Sequence, residues 1–121
     1  MIDKGILINN IISEFKTQPY NKIYSSIMGF ESPFAIGIKG SKKGFYPDII
    51  IEKDDAINII SVETKIEKNV SKKDAERWGL FQLFTKANKG DLYIAGSPHT
   101  ISIIKNGLQK IPSNLKFIQL V

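Results

Sequence analysis

Tyr46-Pro47-Asp48-Ile49-Ile50-Ile51-Glu52-Lys53-Asp54-Asp55-Ala56-Ile57-Asn58-Ile59-Ile60-Ser61-Val62-Glu63-Thr64-Lys65 consists of two β-branched-rich runs on either side of a polar turn. Ile49 to Glu52 and Ile57 to Lys65 read as one antiparallel hairpin around Lys53-Asp54-Asp55-Ala56. With Glu52 opposite Ile57 across a four-residue loop, Asp48 falls opposite Ser61. Glu63 then becomes its diagonal neighbour on the same face, roughly 7–8 Å away between backbones. Two carboxylates so placed can share one cation. Strand alternation puts Glu63 and Lys65 on one face and turns Thr64 away, which leaves the Thr64 carbonyl as a further oxygen ligand. A register slip of one residue destroys the convergence.

Two carboxylates and a lysine at strand ends are what metal-dependent phosphodiester cleavage requires, so the stretch reads as that of a nuclease. The competing reading is structural, with Asp48 capping a strand and Glu63 and Lys65 decorating an edge. Placement favours the first reading, because Glu63 ends a strongly apolar strand where an unused charge is disfavoured.

The remaining composition bounds the molecule. A length of 121 residues with 42% hydrophobic residues makes one domain, residues 1–121, with a real core. There is no cysteine for disulfides or thiolate metal sites, which is compatible with a reducing, cytoplasmic setting. No apolar run approaches the ~20 residues of a membrane span, and the amino terminus lacks a signal-peptide pattern, so no membrane association is expected. The formal charge of +5 comes almost wholly from lysine, Arg77 being the only arginine. That balance favours a polyanionic partner, although abundant Ile, Lys and Asn also follow from an AT-rich genome.

Along the chain, Ile8, Ile11, Ile12 and Phe15 mark a helix from Asp3 to about Gln18 that stops before Pro19. Ser32 to Ile38 reads as a first strand, followed by the basic, glycine-punctuated loop Lys39-Gly40-Ser41-Lys42-Lys43-Gly44. After the hairpin, Ser71 with Asp74 resembles a helix cap. Ala75, Trp78, Phe81, Phe84 and Thr85 then mark one face until Gly90. Leu92 to Ala95 and Phe117 to Val121 read as strands, with a helix or loop around Ile101 to Gln109. The expected fold is α/β: a central mixed β-sheet flanked by helices, in the order αβββαβ(α)β. Trp78 with Phe81 and Phe84 reads as a core stripe, and His99 as a loop residue without ligand partners.

This order, with Pro47-Asp48 and Glu63-Thr64-Lys65, resembles the PD-(D/E)xK nuclease superfamily and its restriction-endonuclease-like core. The nearer likeness is to archaeal Holliday junction resolvases. It covers roughly residues 4 to 96, through Lys4-Gly5 at the first helix, Gly40-Ser41-Lys42-Lys43 before Pro47-Asp48, and the helix-then-strand run from Glu76 to Gly96. The chain lacks a long carboxy-terminal extension and looks like a minimal version of the kind an archaeal virus encodes.

The resemblance implies a Mg²⁺-dependent endodeoxyribonuclease, with Mn²⁺ able to substitute, acting as a homodimer on four-way DNA junctions in recombination and repair. Its site would comprise Asp48, Glu63, Lys65 and Ser41 as catalytic residues, and Asp48, Glu63, the Thr64 carbonyl and Asn9 around the metal. Lys39, Lys42, Lys43, Lys68, Lys72, Lys73 and Arg77 would contact DNA. Exposed aromatic or isoleucine residues near Phe30 to Phe34 are candidates for the dimer interface, which one chain does not single out. The lysine clusters read equally well as solvated surface. Three departures stand out. Asn9 replaces the family's metal-organising glutamate, with Glu14 the alternative about 140° around the helix. Lys39-Gly40-Ser41 replaces Ser-Gly-Ser, and Arg77 replaces a glutamine.

Three other readings stay open. One is a related nuclease acting on single strands, flaps or ends, and another is a junction-binding module with weak chemistry. The third is a small accessory protein with no nucleic-acid role.

Overall fold

The computed structural model describes residues 3–42, 44–66 and 68–120. Helix α1 (Lys4–Phe15) is capped by Asp3, whose carboxylate accepts the Gly5 N–H. Strand β1 (Lys22–Ser25) follows, then a short ribbon of β2 (Ile36–Gly37) and β3 (Gly44–Phe45). The hairpin of β4 (Ile49–Lys53) and β5 (Ala56–Val62) comes next. Helix α2 (Lys72–Ala87), β6 (Leu92–Gly96), α3 (Pro98–Gly107) and β7 (Leu115–Gln119) complete the chain. The main sheet runs β1-β4-β5-β6-β7, and β2 and β3 pair separately. Its β1–β4 and β4–β5 pairs are antiparallel and its β5–β6 and β6–β7 pairs parallel, so the sheet is mixed.

The isoleucine runs explain the layering. On β4, Ile50 faces one core with Ile59, Ile94, Trp78, Phe81 and Ile104, which is the side of α2 and α3. Ile49 and Ile51 face the other core with Ile60, Val62 and Ala95, against Ile8, Ile11 and Ile12 of α1. Both sheet faces are covered, so β4 and β5 read as near-continuous apolar runs and not as alternating ones.

The hairpin register is the expected one, with Glu52 opposite Ile57 and Ile49 opposite Ile60. The turn is tighter than expected. Lys53 pairs with Ala56, leaving Asp54 and Asp55 at the tip, and Asp54 takes a φ of 54°. Its N–H is held by the Asn21 side chain at 2.5 Å. Such turns need left-handed residues, which Asp tolerates better than most.

Other boundaries differ from expectation for identifiable reasons. β1 was absent from the sequence reading, because four residues in a polar stretch carry little periodic signal; their pairing with Ile49–Glu52 makes them a strand. Ser32 to Ile38 forms only the two-residue β2, outside the main sheet. β5 stops at Val62, although the Glu63 N–H still donates to the Ala95 carbonyl at 2.8 Å. His99 lies in the first turn of α3 and not in a loop. Phe30 packs on the α1-side core and Phe34 stacks edge-on against Tyr24 and Phe84, so both rings are used within the chain.

Helix α2 begins as expected, with the Ser71 hydroxyl accepting the Asp74 N–H at 3.0 Å. At its other end the left-handed residue is Lys89 (φ 62°), not Gly90. Gly90 is required for closeness instead. A Cβ there would lie 1.9 Å from the Ile57 carbonyl oxygen. Gly90→Ala is expected to lower stability by about 2 kcal/mol, read as a fall in urea midpoint; an unaltered midpoint would refute the close approach.

Candidate functional site

The hairpin brings Asp48 and Glu63 to one end of the sheet, since the pairing of Ile49 with Ile60 continues to Asp48 against Ser61. There each carboxylate has its own set of partners. Asp48 Oδ2 accepts the Val62 N–H at 2.7 Å, tying the end of β4 to β5. Asp48 Oδ1 pairs at 3.1 Å with Lys4 Nζ, from the first turn of α1.

Glu63 turns toward the opposite layer. Ile59, Ser61 and Glu63 alternate toward α2, and Glu63 is only 7% exposed. Its Oε2 accepts the Ser61 hydroxyl at 2.5 Å and the Trp78 indole N–H at 3.2 Å. Its Oε1 accepts Arg77 Nη2 at 2.8 Å, and the same nitrogen reaches Asp74 at 3.1 Å. A buried carboxylate needs such compensation, and here three side chains provide it.

Thr64 and Lys65 are exposed beyond the end of β5, with a bend at Lys65, so strict strand alternation no longer governs them. Asn9 is exposed on α1, its carbonyl accepting the Ser13 hydroxyl. Glu14 is exposed on the same helix. The α1 side chain that reaches Asp48 is Lys4, which the sequence reading used only as the start of a helix. Its signal was its spacing of four residues from Ile8, on the buried face. Ser61 and Trp78 were also missed as partners of Glu63. A serine within an isoleucine strand, two residues before a glutamate, was the available clue.

Lys39, Ser41 and Lys42 lie exposed on the β2–β3 connection, where the Ser41 N–H donates to the Ile38 carbonyl at 2.9 Å. Lys43 lies outside the described residues. Lys42 joins Lys72 and Lys73 of the first turn of α2 around an open hollow of about 600 Å³, floored by Gly44 and Phe45 with Glu76 on its wall. Lys68 is exposed in the connection leading to α2. Arg77 stands apart from these lysines, its guanidinium turned inward onto Glu63 and Asp74. Another hollow, of about 250 Å³, lies at the far end of the sheet between Phe15, Tyr20, Lys53, Asn58, Lys89 and Tyr93.

The donor chemistry suits Mg²⁺, which takes oxygen ligands and commonly only one or two carboxylates with several waters. Asp48 and Glu63 supply carboxylate oxygens at one sheet end, Asp48 held by Lys4 of α1 and Glu63 by Arg77 and Trp78 of α2. Among the described residues no three His, Cys, Asp or Glu side chains are grouped to hold a metal ion. Lys4 and Arg77 occupy one oxygen each of Asp48 and Glu63. Among the described residues, no helix is long and apolar enough to cross a membrane. Compared with family models, with curated proteins and with solved structures, the chain matches none.

Proposed function

We propose that this protein is a Mg²⁺-dependent, structure-selective DNA endonuclease that resolves four-way junctions. The observation that carries the reading is the hairpin register, which sets Asp48 beside the end of β5, the strand that leads into Glu63-Thr64-Lys65. The lysine-lined hollow at Lys42, Lys72 and Lys73 supports it, because a cluster of cations suits a phosphodiester backbone.

In this reading Asp48, Glu63 and the Thr64 carbonyl would hold the ion, which when bound would supply Lewis-acid stabilisation of the phosphate. Lys65 orients the attacking water and offsets charge in the transition state. Ser41 and the lysines position the backbone, and Lys4 and Arg77 yield the carboxylates when the ion binds. By the same family likeness, two copies act together across a junction, cutting strands of like polarity.

A second reading is favoured by the partners of Glu63. With both carboxylate oxygens committed to Ser61, Trp78 and Arg77, the chain also fits a junction-binding module with weak chemistry. Metal titration separates the two. The nuclease reading expects Mg²⁺ or Mn²⁺ at about a hundred times its dissociation constant to raise stability by about 2.7 kcal/mol, reversibly with chelator. No shift in melting temperature with either ion would remove the metal-dependent reading.

The decisive assay uses a labelled four-way junction, a matched linear duplex and a flap, each with Mg²⁺ or chelator. Paired, metal-dependent cuts in the junction support the resolvase. Cutting of the flap alone would keep a nuclease and reject junction resolution, and junction binding without cutting would favour the binding module.

A further inference from the structure

Exposed apolar side chains gather at the sheet end that carries Asp48. Met28 is 98% exposed and Tyr46 is 73% exposed, with Ile6 of α1 also exposed two residues after Lys4. Tyr46 precedes Asp48 by two residues, and Phe45 before it lines the lysine hollow. Met28 follows Ser26 by two residues, and the Ser26 N–H donates to the Asp48 carbonyl at 3.2 Å. Two residues of chain span at most about 7 Å, so both side chains start close to the Asp48 backbone.

The loop that carries Met28 is built, not slack. Its base is closed by the Ser25 N–H on the Glu31 carbonyl at 3.0 Å and by an ion pair of Lys22 with Glu31 at 2.7 Å. Ile27 and Phe30 pack inward on the α1-side core, with the Lys16 ammonium over the Phe30 ring. The turn between them needs Gly29, whose φ of +98° disfavours other residues. Ile27 and Phe30 are thus turned inward, while Met28 is, at 98% exposure, the large apolar side chain the loop presents to solvent. A loop so anchored holds out a flexible, polarisable side chain beside a candidate active-site carboxylate, which invites a ligand with a flat apolar face.

We infer that Met28 and Tyr46 form a stacking surface for an unstacked nucleobase, and that the substrate is DNA in which a base next to the scissile phosphate leaves the helical stack. The inference rests on the DNA reading above and names how that site would tell branched from linear duplex DNA. Apolar wedges, methionine among them, part base steps in other DNA-binding proteins, and stacking of a base on an aromatic side chain such as that of Tyr46 is worth about 1–3 kcal/mol. The lysine hollow holds the backbone while Tyr46 and Met28 receive the base. Regular duplex opposes this by its own stacking; a branch point does so less.

The test measures binding in chelator to a linear duplex, a fully paired four-way junction, and the same junction with one unpaired thymine at the branch, with permanganate reactivity of branch thymines as second readout. Wild type is expected to render branch thymines reactive. Met28→Ala, which removes no core contact, should lose that reactivity and bind the paired junction about tenfold more weakly. It should bind the duplex within twofold of wild type, with most of its affinity recovered on the unpaired-thymine junction, and Met28→Leu should behave as wild type. Equal junction affinity and reactivity for Met28→Ala would overturn the inference while leaving the DNA reading intact, as would an equal loss on duplex and junction. Failure of wild type to bind any of the three DNAs would overturn the proposed function itself, before any variant is compared.

Discussion

Asp48→Asn is expected to lower Mg²⁺-dependent junction cleavage by about 100-fold or more, because removing a ligand of a catalytic ion forfeits several kcal/mol of transition-state stabilisation. Asparagine is the informative replacement. It keeps an oxygen for the Val62 N–H that Asp48 holds at 2.7 Å, so the tie between β4 and β5 survives. It loses the charge that pairs with Lys4, in an ion pair whose side chains are 42% (Lys4) and 14% (Asp48) exposed. That loss should cost about 1 kcal/mol of stability. Junction binding should persist, since Lys42, Lys72 and Lys73 are untouched and one negative charge has left the phosphate path. Cleavage within tenfold of wild type, on a variant that remains folded, would remove Asp48 from the chemistry.

Arg77→Ala is the second large effect, and it has two parts. The guanidinium is the cation facing Glu63, a carboxylate 6% exposed, and also reaches Asp74. Removing one partner of a buried pair leaves the other uncompensated, which costs about 3 kcal/mol. Here Ser61 and Trp78 still donate to Glu63, so the variant should remain folded and show a lower urea midpoint. The second part has the opposite sign. Without its guanidinium Glu63 offers Oε1 to a cation, so added Mg²⁺ should raise the melting temperature of Arg77→Ala by more than it raises that of wild type. Pairing the substitution with Glu63→Gln should abolish that gain. A Mg²⁺ response no larger than wild type would take Glu63 out of the ligand set and favour the binding module.

Much of the fold was legible because isoleucine is unambiguous when it repeats. Ile49 to Ile51 and Ile57 to Ile60 predicted a hairpin, and setting Glu52 opposite Ile57 across the polar turn gives the register observed. Ser71 with Asp74 predicted the start of α2, because a hydroxyl can satisfy a backbone donor three residues on with no tertiary help. Lys22 to Ser25 carried no such local signal. Four residues become a strand only when Ile49 to Glu52 offers them a ladder, and that partner is more than twenty residues away. Ser32 to Ile38 failed the other way: β-propensity was present, yet the sheet edge it needed was taken by β1.

The same division runs through the candidate site. Local order along the chain determined that Asp48 and Glu63 end adjacent strands, since pairing register depends on periodicity and a tight turn. What each carboxylate touches was decided by the layers that cover the sheet. Lys4 comes to Asp48 because α1 lies on one face, and Arg77 and Trp78 come to Glu63 because α2 lies on the other. Those contacts join residues from 14 to 44 positions apart. Electrostatic compensation of a carboxylate depends on distances of about 3 Å, which chain order cannot specify until the cores on both faces have closed.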